Sequence, residues 1–318
     1  MEKTSKIYVA GHRGLVGNSI LKALQQRGYT NIVVKTHKEL DLTRQKEVED
    51  FFMAEKPEYV FLSAAKVGGI LANSTYPAEF IYQNLAIAVN VVHAAYKSKV
   101  KKLLFLGSSC IYPKLCPQPI KEEYLLTGPL ETTNEAYAIA KIAGLEMAKF
   151  YCKQYGVNFI SAMPTNLYGP NDNFDLKNSH VIPALLRKFY EAVRYKKDEV
   201  VIWGSGKPKR EFLFIEDLAD ALLFLMENYN EESYINVGTG FDISISELVN
   251  IIKNISGFQG KVVYDSSKPD GTPRKLLDIS KISSLGWKPK TSLEEGLKIT
   301  YNWLIENYEK IIEREQAK

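Results

Sequence analysis

The sequence Gly11-His12-Arg13-Gly14-Leu15-Val16-Gly17 follows a short β-branched and aromatic run at residues 6–10. An apolar periodic stretch continues to residue 27 and stops at Gly28. A strand, three glycines at three-residue spacing and a helix form the layout of a dinucleotide-binding turn. In that layout the N-terminus of the helix directs unpaired N–H groups at the phosphates. A glycine-rich turn without a ligand is the alternative.

The end of the second predicted strand, residues 31–35, indicates which dinucleotide binds. An acidic residue there would hold the ribose 2′-hydroxyl of NAD. The chain instead has the run Lys35-Thr36-His37-Lys38, and Arg13 adds a further cation in the glycine turn. Positive charge at both places favours the 2′-phosphate of NADP, whereas Glu39 and Asp41 nearby argue for NAD. The sequence predicts NADP(H), with a solvated basic loop as the alternative.

Strands and helices alternate along the first half of the chain. The sequence predicts further strands at residues 59–63, 102–106 and 158–163, and helices at 43–56, 77–95 and 134–155. Near-continuous apolar strands are typical of parallel sheets that are covered on both faces. The predicted fold class is therefore α/β, with a doubly wound parallel sheet.

The second half of the chain predicts a smaller α/β region. Its predicted helices are residues 181–194, 216–228, 244–255 and 292–310, and its predicted strands are 200–203, 234–236 and 261–264. We expect residues 1–163 to form the dinucleotide-binding domain and residues 164–318 to form mainly the substrate-binding region. Some of the later segments should interleave with the main sheet.

Composition narrows the class of protein. The chain has 318 residues, of which 45% are hydrophobic, and this is enough for a sizeable core. Its net charge of +4 comes from 41 basic and 37 acidic residues that are spread along the chain, a pattern that argues against nucleic acid as a partner. The three cysteines lack metal-ligand spacing, so no metal site is expected. No apolar run is long enough for a membrane span and no signal peptide is evident, so a cytoplasmic protein is expected.

The helix predicted at residues 134–155 contains Tyr137 and Lys141, with Asn134 as its expected N-cap. Residues four apart share one helix face, so the phenol and the ammonium can reach the same point. The nearby cation should lower the pKa of Tyr137 from about 10 and make it a proton donor near neutral pH. An amphipathic helix with an incidental Tyr and Lys is the alternative.

A second polar group stands where the strand at residues 102–106 ends. Gly107-Ser108-Ser109-Cys110 leaves that strand at its carboxyl end, where open α/β sheets bind their ligands. A serine hydroxyl there can hydrogen-bond a substrate carbonyl beside Tyr137. The combination of serine, tyrosine and lysine is far more specific than any of the three residues alone.

With these motifs the chain resembles the extended short-chain dehydrogenase/reductase superfamily, over nearly its whole length. Within that superfamily it is similar to enzymes that epimerise and reduce GDP-4-keto sugars. The segments that carry the resemblance are residues 10–17, 63–69, 104–113, 137–144, 163–170, 178–184 and 268–275. The resemblance implies a Rossmann-type fold, NADPH as cofactor, a GDP-4-keto-sugar substrate and a homodimer built from the helices at 77–95 and 134–155.

The resemblance also implies a role for each matching residue. Ser108, Tyr137 and Lys141 would reduce the 4-keto group, with Tyr137 as the proton donor. Cys110 and His180 would be the acid/base pair that epimerises C3 and C5. Without the resemblance, Cys110 would be read as a small buried residue and His180 as a residue at a helix start.

Two further sets follow from the resemblance. The expected cofactor-binding residues are Gly11, His12, Arg13, Gly14, Leu15, Val16, Gly17, His37, Lys38, Glu39, Leu40, Asp41, Leu42, Leu106, Gly107, Ser108, Ser109, Lys141, Pro164, Thr165, Asn166, Leu167 and His180. The expected substrate-binding residues are Lys188, Trp203, Arg210, Asp270 and Lys275. Lysine at position 188 departs from the arginine expected there, and it offers a point charge instead of a two-pronged donor.

Three alternatives to a hexose epimerase/reductase remain. The first is a C4-reductase of a GDP-4-keto heptose or 6-deoxyheptose with reduced or no epimerase activity. The second is an NAD-dependent sugar-nucleotide 4-epimerase or dehydratase. The third is a non-catalytic NADP-binding sensor, which would have no reason to keep the Ser108, Tyr137 and Lys141 set.

Overall fold

The computed structural model describes residues 1–176, 178–268 and 270–316. Its strands are β1 (Ile7–Ala10), β2 (Ile32–Val33), β3 (Tyr59–Leu62), β4 (Lys102–Leu106), β5 (Phe159–Pro164), β6 (Asn166–Tyr168), β7 (Glu199–Trp203), β8 (Lys209–Phe214), β9 (Ile235–Val237), β10 (Asp242–Ser244), β11 (Lys261–Asp265) and β12 (Arg274–Lys275). Its helices are α1 (Leu15–Gln26), α2 (Gln45–Glu55), α3 (Ile70–Thr75), α4 (Pro77–Lys97), α5 (Glu135–Tyr155), α6 (Val181–Arg194), α7 (Ile215–Asn228), α8 (Ile245–Ser256), α9 (Ser280–Ser284) and α10 (Leu293–Gln316).

Six parallel strands form the main sheet in the order β2-β1-β3-β4-β5-β9. The strand order reverses at β1, where β2 lies on one side and β3 on the other. Alternate side chains of each strand point to opposite faces, so Ile7 and Val9 enter one core and Tyr8 and Ala10 enter the other. The predicted doubly wound α/β fold is confirmed.

Two helical layers cover this sheet. Helices α1 and α7 pack together on one face, and α2, α4 and α5 pack on the other. Strand β9 and helix α7 both come from the second half of the chain, so late segments complete the sheet and one of its layers. The division at residue 163 stays a prediction.

The C-terminal region has its own core, which is formed mainly by α6, α8, α10 and the strands around β8. Strand β8 pairs with β6, β10 and β12, and β7 pairs with β11. Six elements were not predicted from the sequence: β6, β8, β10, β12, α3 and α9. Each of them is at most six residues long, and β8 begins with Lys209 and Arg210, so periodicity carried little signal.

A buried carboxylate connects the two parts of the fold. Glu211 on β8 is fully buried and accepts hydrogen bonds from Thr239 N at 2.6 Å, Gly240 N at 2.8 Å and Leu277 N at 3.0 Å. Its backbone carbonyl accepts a bond from Asn166 Nδ2 at 2.8 Å. Three distant segments are therefore fixed around one residue of the strand that carries Arg210.

No helix in the described part of the chain is long and apolar enough to cross a membrane. The same residues contain no cluster of His, Cys, Asp and Glu that would hold a metal ion.

Candidate functional site

The glycine turn has the backbone geometry that a pyrophosphate needs. Gly14 N donates to Gly11 O at 2.9 Å and closes the turn, and α1 begins at the next residue without a side-chain cap. Gly11 has φ +87°, and a Cβ there would lie 2.8 Å from Ala64 N. A Cβ on Gly17 would overlap the Gly11 carbonyl, so only glycine lets the helix start against the strand. The first N–H groups of α1 thus remain available to an anion.

The end of β2 lies beside this turn. Arg13 and Lys35 are close enough to Glu39 to lower the pKa of its carboxyl, although the hydrogen bonds from Thr36 are the main cause. His37 Nδ1 is 3.8 Å from Asp41 Oδ1, and Asp41 is also held by Thr43 N at 2.9 Å. Cations and carboxylates therefore share the place where the ribose of a dinucleotide would lie.

A buried atom in the same turn indicates that a ligand belongs here. His12 Nδ1 is buried and has no hydrogen-bond partner among the described residues. Burial is also the main cause of the lowered pKa of this imidazole. An unpaired buried nitrogen is unfavourable, and it fits a turn that receives a polar group from a ligand. The turn therefore fits a dinucleotide phosphate.

The ends of β4 and β5 continue the expected cofactor site across the sheet. Gly107 N donates to Ala162 O at 2.8 Å, and Thr165 N donates to Val237 O at 3.0 Å. The expected residues Leu106, Gly107 and Ser109 therefore lie one strand away from the segment 164–167.

Ser108, Cys110, Tyr137 and Lys141 form one cluster at the carboxyl end of β4. Ser108 Oγ lies 2.8 Å from Cys110 Sγ, and Ser108 is close enough to Tyr137 to lower the pKa of its phenol. Lys141 Nζ donates to Leu106 O at 2.8 Å and lies 5.9 Å from the centre of the Tyr137 ring. The structure therefore brings the predicted serine, tyrosine, lysine and cysteine together.

The predicted lowering of the Tyr137 pKa is wrong for this structure. Burial raises the pKa of Tyr137 well above 10, the neighbouring Cys110 raises it further, and the nearby Ser108 side chain opposes both. Burial also lowers the pKa of Lys141 to about 8. The i, i+4 spacing placed both groups on one face correctly, but it carries no information about desolvation, which is the larger effect here.

Asn134 occupies the N-cap position of α5 as predicted, but its side chain makes no capping hydrogen bond. Its Oδ1 is instead buried and has no hydrogen-bond partner in the part of the chain that the structure describes. The Asn134 carboxamide therefore does not cap α5.

His180 stands at the N-cap of α6, next to a loop that packs on Gly69. Gly69 N donates to Asn178 O at 3.3 Å, which fixes that loop beside α3. The residue is exposed, yet desolvation by the surrounding protein lowers the pKa of its imidazole. A neutral imidazole is able to accept a proton.

Trp203 forms the exposed end of the candidate substrate site. Its side chain is 64% exposed, which excludes core packing as its role. Lys188 Nζ lies 5.3 Å from the ring centre and donates to Val201 O at 3.0 Å, and Lys268 Nζ lies 5.7 Å from the same ring. Lys268 was not predicted as a site residue, although it begins the segment 268–275 that carries part of the resemblance. Pro269 of that motif lies outside the described residues.

Asp270, Arg210 and Lys275 lie close to the same turn. Asp270 accepts hydrogen bonds from Ser205 N at 2.6 Å and Ser205 Oγ at 2.7 Å. Burial lowers the pKa of Arg210, and Asp270 partly restores it. Lys275 is paired with Arg210 across β12 and β8. An exposed aromatic ring and several cations suit a base and a diphosphate.

This fold and site define a class of protein. The chain belongs to the NAD dependent epimerase/dehydratase family, whose model matches residues 7–238, and to the extended short-chain dehydrogenase/reductase superfamily.

Its relatives point to a particular member of that class. The chain is 62% identical to a putative GDP-L-fucose synthase 2 of Arabidopsis thaliana, over 96% of this chain and 94% of that protein. It is 54% identical to the GDP-L-fucose synthase of Escherichia coli, over 96% and 98%. Among solved structures, the NADP-bound GDP-mannoheptose C4 reductase MlghC of Campylobacter jejuni is 44% identical over 96% and 99%, with a TM-score of 0.88. The resemblance predicted from the motifs is confirmed.

Proposed function

We propose that the chain is an NADPH-dependent 3,5-epimerase/4-reductase that converts GDP-4-keto-6-deoxy-D-mannose into GDP-L-fucose. The observation that carries this proposal is the cluster of Ser108, Cys110, Tyr137 and Lys141 at the end of β4. The high identity to GDP-L-fucose synthases across nearly the whole chain supports the same reaction.

The glycine turn, the segment 37–42, the ends of β4 and β5, and His180 would hold NADP(H). When bound, this cofactor supplies the hydride for reduction at C4. Arg13 and the basic end of β2 favour the 2′-phosphate, although Glu39 and Asp41 stand beside them. NADP is bound in the solved structure of the C. jejuni reductase, and this supports NADP(H) as the cofactor here.

Epimerisation needs one group that removes a proton next to the ketone and another that returns a proton to the opposite face. We assign these tasks at C3 and C5 to Cys110 and His180. Thiol and imidazole have ordinary pKa values within reach of pH 7, so both can lose and regain protons. Ser108 and Tyr137 would hold the C4 oxygen and stabilise the enolate that forms when a proton leaves.

In the reduction, the Tyr137 hydroxyl would give its proton to the C4 oxygen. Its raised pKa keeps that proton in place until charge develops on the substrate. The ammonium of Lys141, which is fixed on Leu106 O, would favour the phenolate that remains. The Ser108 hydroxyl would donate a hydrogen bond to the same oxygen and keep Tyr137 oriented.

The turn around Trp203 would bind the GDP moiety. The exposed indole offers a face for guanine, while Lys188, Arg210 and Lys275 offer charges for the diphosphate. Asp270 holds the Ser205 turn and balances Arg210. The lysine at position 188 supplies its charge without the forked geometry of an arginine.

A heptose C4-reductase is the second candidate, and the C. jejuni relative favours it. The deciding experiment offers purified enzyme a GDP-4-keto-6-deoxy hexose and a GDP-4-keto heptose, each with NADPH in D2O. Reduction of the hexose with deuterium at C3 and C5 supports the proposal. Reduction of the heptose alone, without deuterium at those carbons, overturns it.

The same assay separates the remaining alternatives. An NAD-dependent 4-epimerase or dehydratase would produce no net consumption of NADPH. A sensor would bind NADPH and leave every keto sugar unchanged.

We also propose a homodimer that forms through α4 and α5. These helices pack together, and each leaves apolar residues exposed along one outer stripe: Tyr82 and Val89 on α4, and Ile139 and Phe150 on α5. Apolar stripes of this kind mark interfaces. A cytoplasmic location stays a prediction from the sequence.

A further inference from the structure

Three polar atoms in the neighbouring segments 69–75, 132–134 and 178–179 are buried and have no hydrogen-bond partner among the described residues. They are Asn73 Oδ1, Asn134 Oδ1 and Ser179 Oγ. Each comes from a different segment, and none belongs to the catalytic cluster or the cofactor turn. A buried polar atom without a partner is unfavourable, so three of them in segments that contact one another need an explanation.

The three segments are held together by specific contacts. Asn73 Nδ2 donates to Gly68 O at 2.8 Å and Gly69 O at 3.0 Å, which leaves its Oδ1 as the free end of the carboxamide. Gly69 N donates to Asn178 O at 3.3 Å, so the loop with Ser179 lies on the same glycine. Helix α3, which carries Asn73, packs against the 3₁₀ turn Thr132–Asn134.

These groups also flank the proposed chemistry. Asn134 precedes Tyr137 by three residues, and Ser179 immediately precedes His180. An asparagine at an N-cap normally accepts a bond from the first turn of its helix, yet Asn134 does not. Its carboxamide oxygen is therefore free to receive a donor from elsewhere.

We propose that Asn73, Asn134 and Ser179 form a hydroxyl-binding site for the sugar ring of the substrate. Two carboxamide oxygens accept hydrogen bonds and one hydroxyl both donates and accepts, which suits neighbouring hydroxyl groups of a sugar. None of these three groups carries a positive charge, so they are not suited to an anion. This inference rests on the proposed function, because it assigns the part of a GDP-sugar that lies beyond the diphosphate.

The test measures the affinity of NADP⁺-loaded enzyme for GDP and for GDP-D-mannose by calorimetry. The two probes share the nucleotide and differ in the hexose. In wild-type enzyme GDP-D-mannose should bind more tightly than GDP. Asn134→Ala and Ser179→Ala should each weaken GDP-D-mannose about 5- to 20-fold and leave GDP unchanged. Thr132→Ala is the matched control, because Thr132 lies on the same turn and is exposed.

Each outcome has a separate meaning. If neither probe binds, the proposed function fails. If both probes bind but the preference for the hexose survives in both variants, only the hydroxyl-binding site is overturned. A lower melting temperature with an unchanged preference assigns these residues a structural role and also overturns the inference. If Asn134→Ala does not fold, Asn134→Ser and Ser179→Ala provide the same comparison.

Discussion

The Sγ atom of Cys110 lies 2.8 Å from the Oγ atom of Ser108. One short loop thus carries both a group assigned to the ketone oxygen and a group assigned to a neighbouring carbon. In the proposed mechanism, removal of a proton at one carbon and stabilisation of the resulting charge take place within the same few ångströms. The contribution of each residue to reduction and to proton exchange can be measured by substituting one residue at a time.

Tyr137→Phe should lower the rate of C4 reduction by about 100- to 10,000-fold, because the proton donor is lost. Deuterium exchange at C3 and C5 should continue, since Cys110 and His180 are intact. NADPH oxidation and NMR of the recovered sugar measure the two activities separately. Normal reduction by this variant would refute the assignment of the acid.

Cys110→Ala should abolish deuterium incorporation at C3 and C5, because the thiol and His180 act as a pair at both carbons. The control is Cys152→Ser at the far end of α5, where a hydroxyl can replace the thiol in its contacts with Phe159 N and O. Deuterium at both carbons of the sugar recovered from Cys110→Ala would show that the thiol takes no part in proton transfer.

The pH profile should show the titration of Lys141. Burial lowers its pKa from 10.5 to about 8, so the ammonium is present below pH 8 and is lost above it. The kcat/KM for reduction should therefore fall as pH rises through about 8, while Tyr137 keeps its proton because its pKa is raised. Lys141→Arg should move this fall to higher pH.

Lys153→Arg, on an exposed position of the same helix, is the control and should leave the profile unchanged. A wild-type kcat/KM that stays constant up to about pH 9.5 would contradict the role assigned to the Lys141 ammonium in reduction.

Glu211→Ala should lower the free energy of unfolding by about 3–5 kcal/mol, because the N–H groups of Thr239, Gly240 and Leu277 lose their shared acceptor in the core. Glu199→Ala on exposed β7 should change it by less than about 0.5 kcal/mol. Urea unfolding measures both. Equal stability of the two variants would show that the N–H groups find other partners.

Phe150→Glu should convert the proposed dimer into a monomer, because it puts a charge in the exposed stripe of α4 and α5. Phe150 is 55% exposed and Met53 on α2 is 68% exposed, so Met53→Glu is a control of similar exposure. Sedimentation velocity distinguishes the species. A monomeric wild-type chain, or a dimer that survives in Phe150→Glu, would exclude this interface.

The sequence predicted the parts of the fold that local signals specify. The strand before Gly11 and the apolar runs at β3, β4 and β5 were recognisable because parallel strands are apolar throughout. The i, i+4 spacing likewise brought Tyr137 and Lys141 to one face. Strand β8 escaped prediction because its first residues are charged and its pairing partners lie far away in sequence.

Properties of the site that depend on tertiary burial were not predictable. The burial of Glu211 has no local signature, since a glutamate beside Arg210 is normally expected in solvent. The raised pKa of Tyr137 arises from surrounding atoms that spacing on one helix does not specify. The unpaired atoms of Asn73 and Ser179 likewise emerge only when separate segments meet.

The position of β9 at the edge of the main sheet affects how the chain folds during its synthesis. A nascent chain that has emerged only as far as β5 has every element of the glycine turn but leaves one border of β5 unpaired, and exposed strand borders invite association with other chains. Ribosome-bound intermediates of this length should therefore depend on chaperones, and a truncation before residue 235 should aggregate even though its dinucleotide motif is intact.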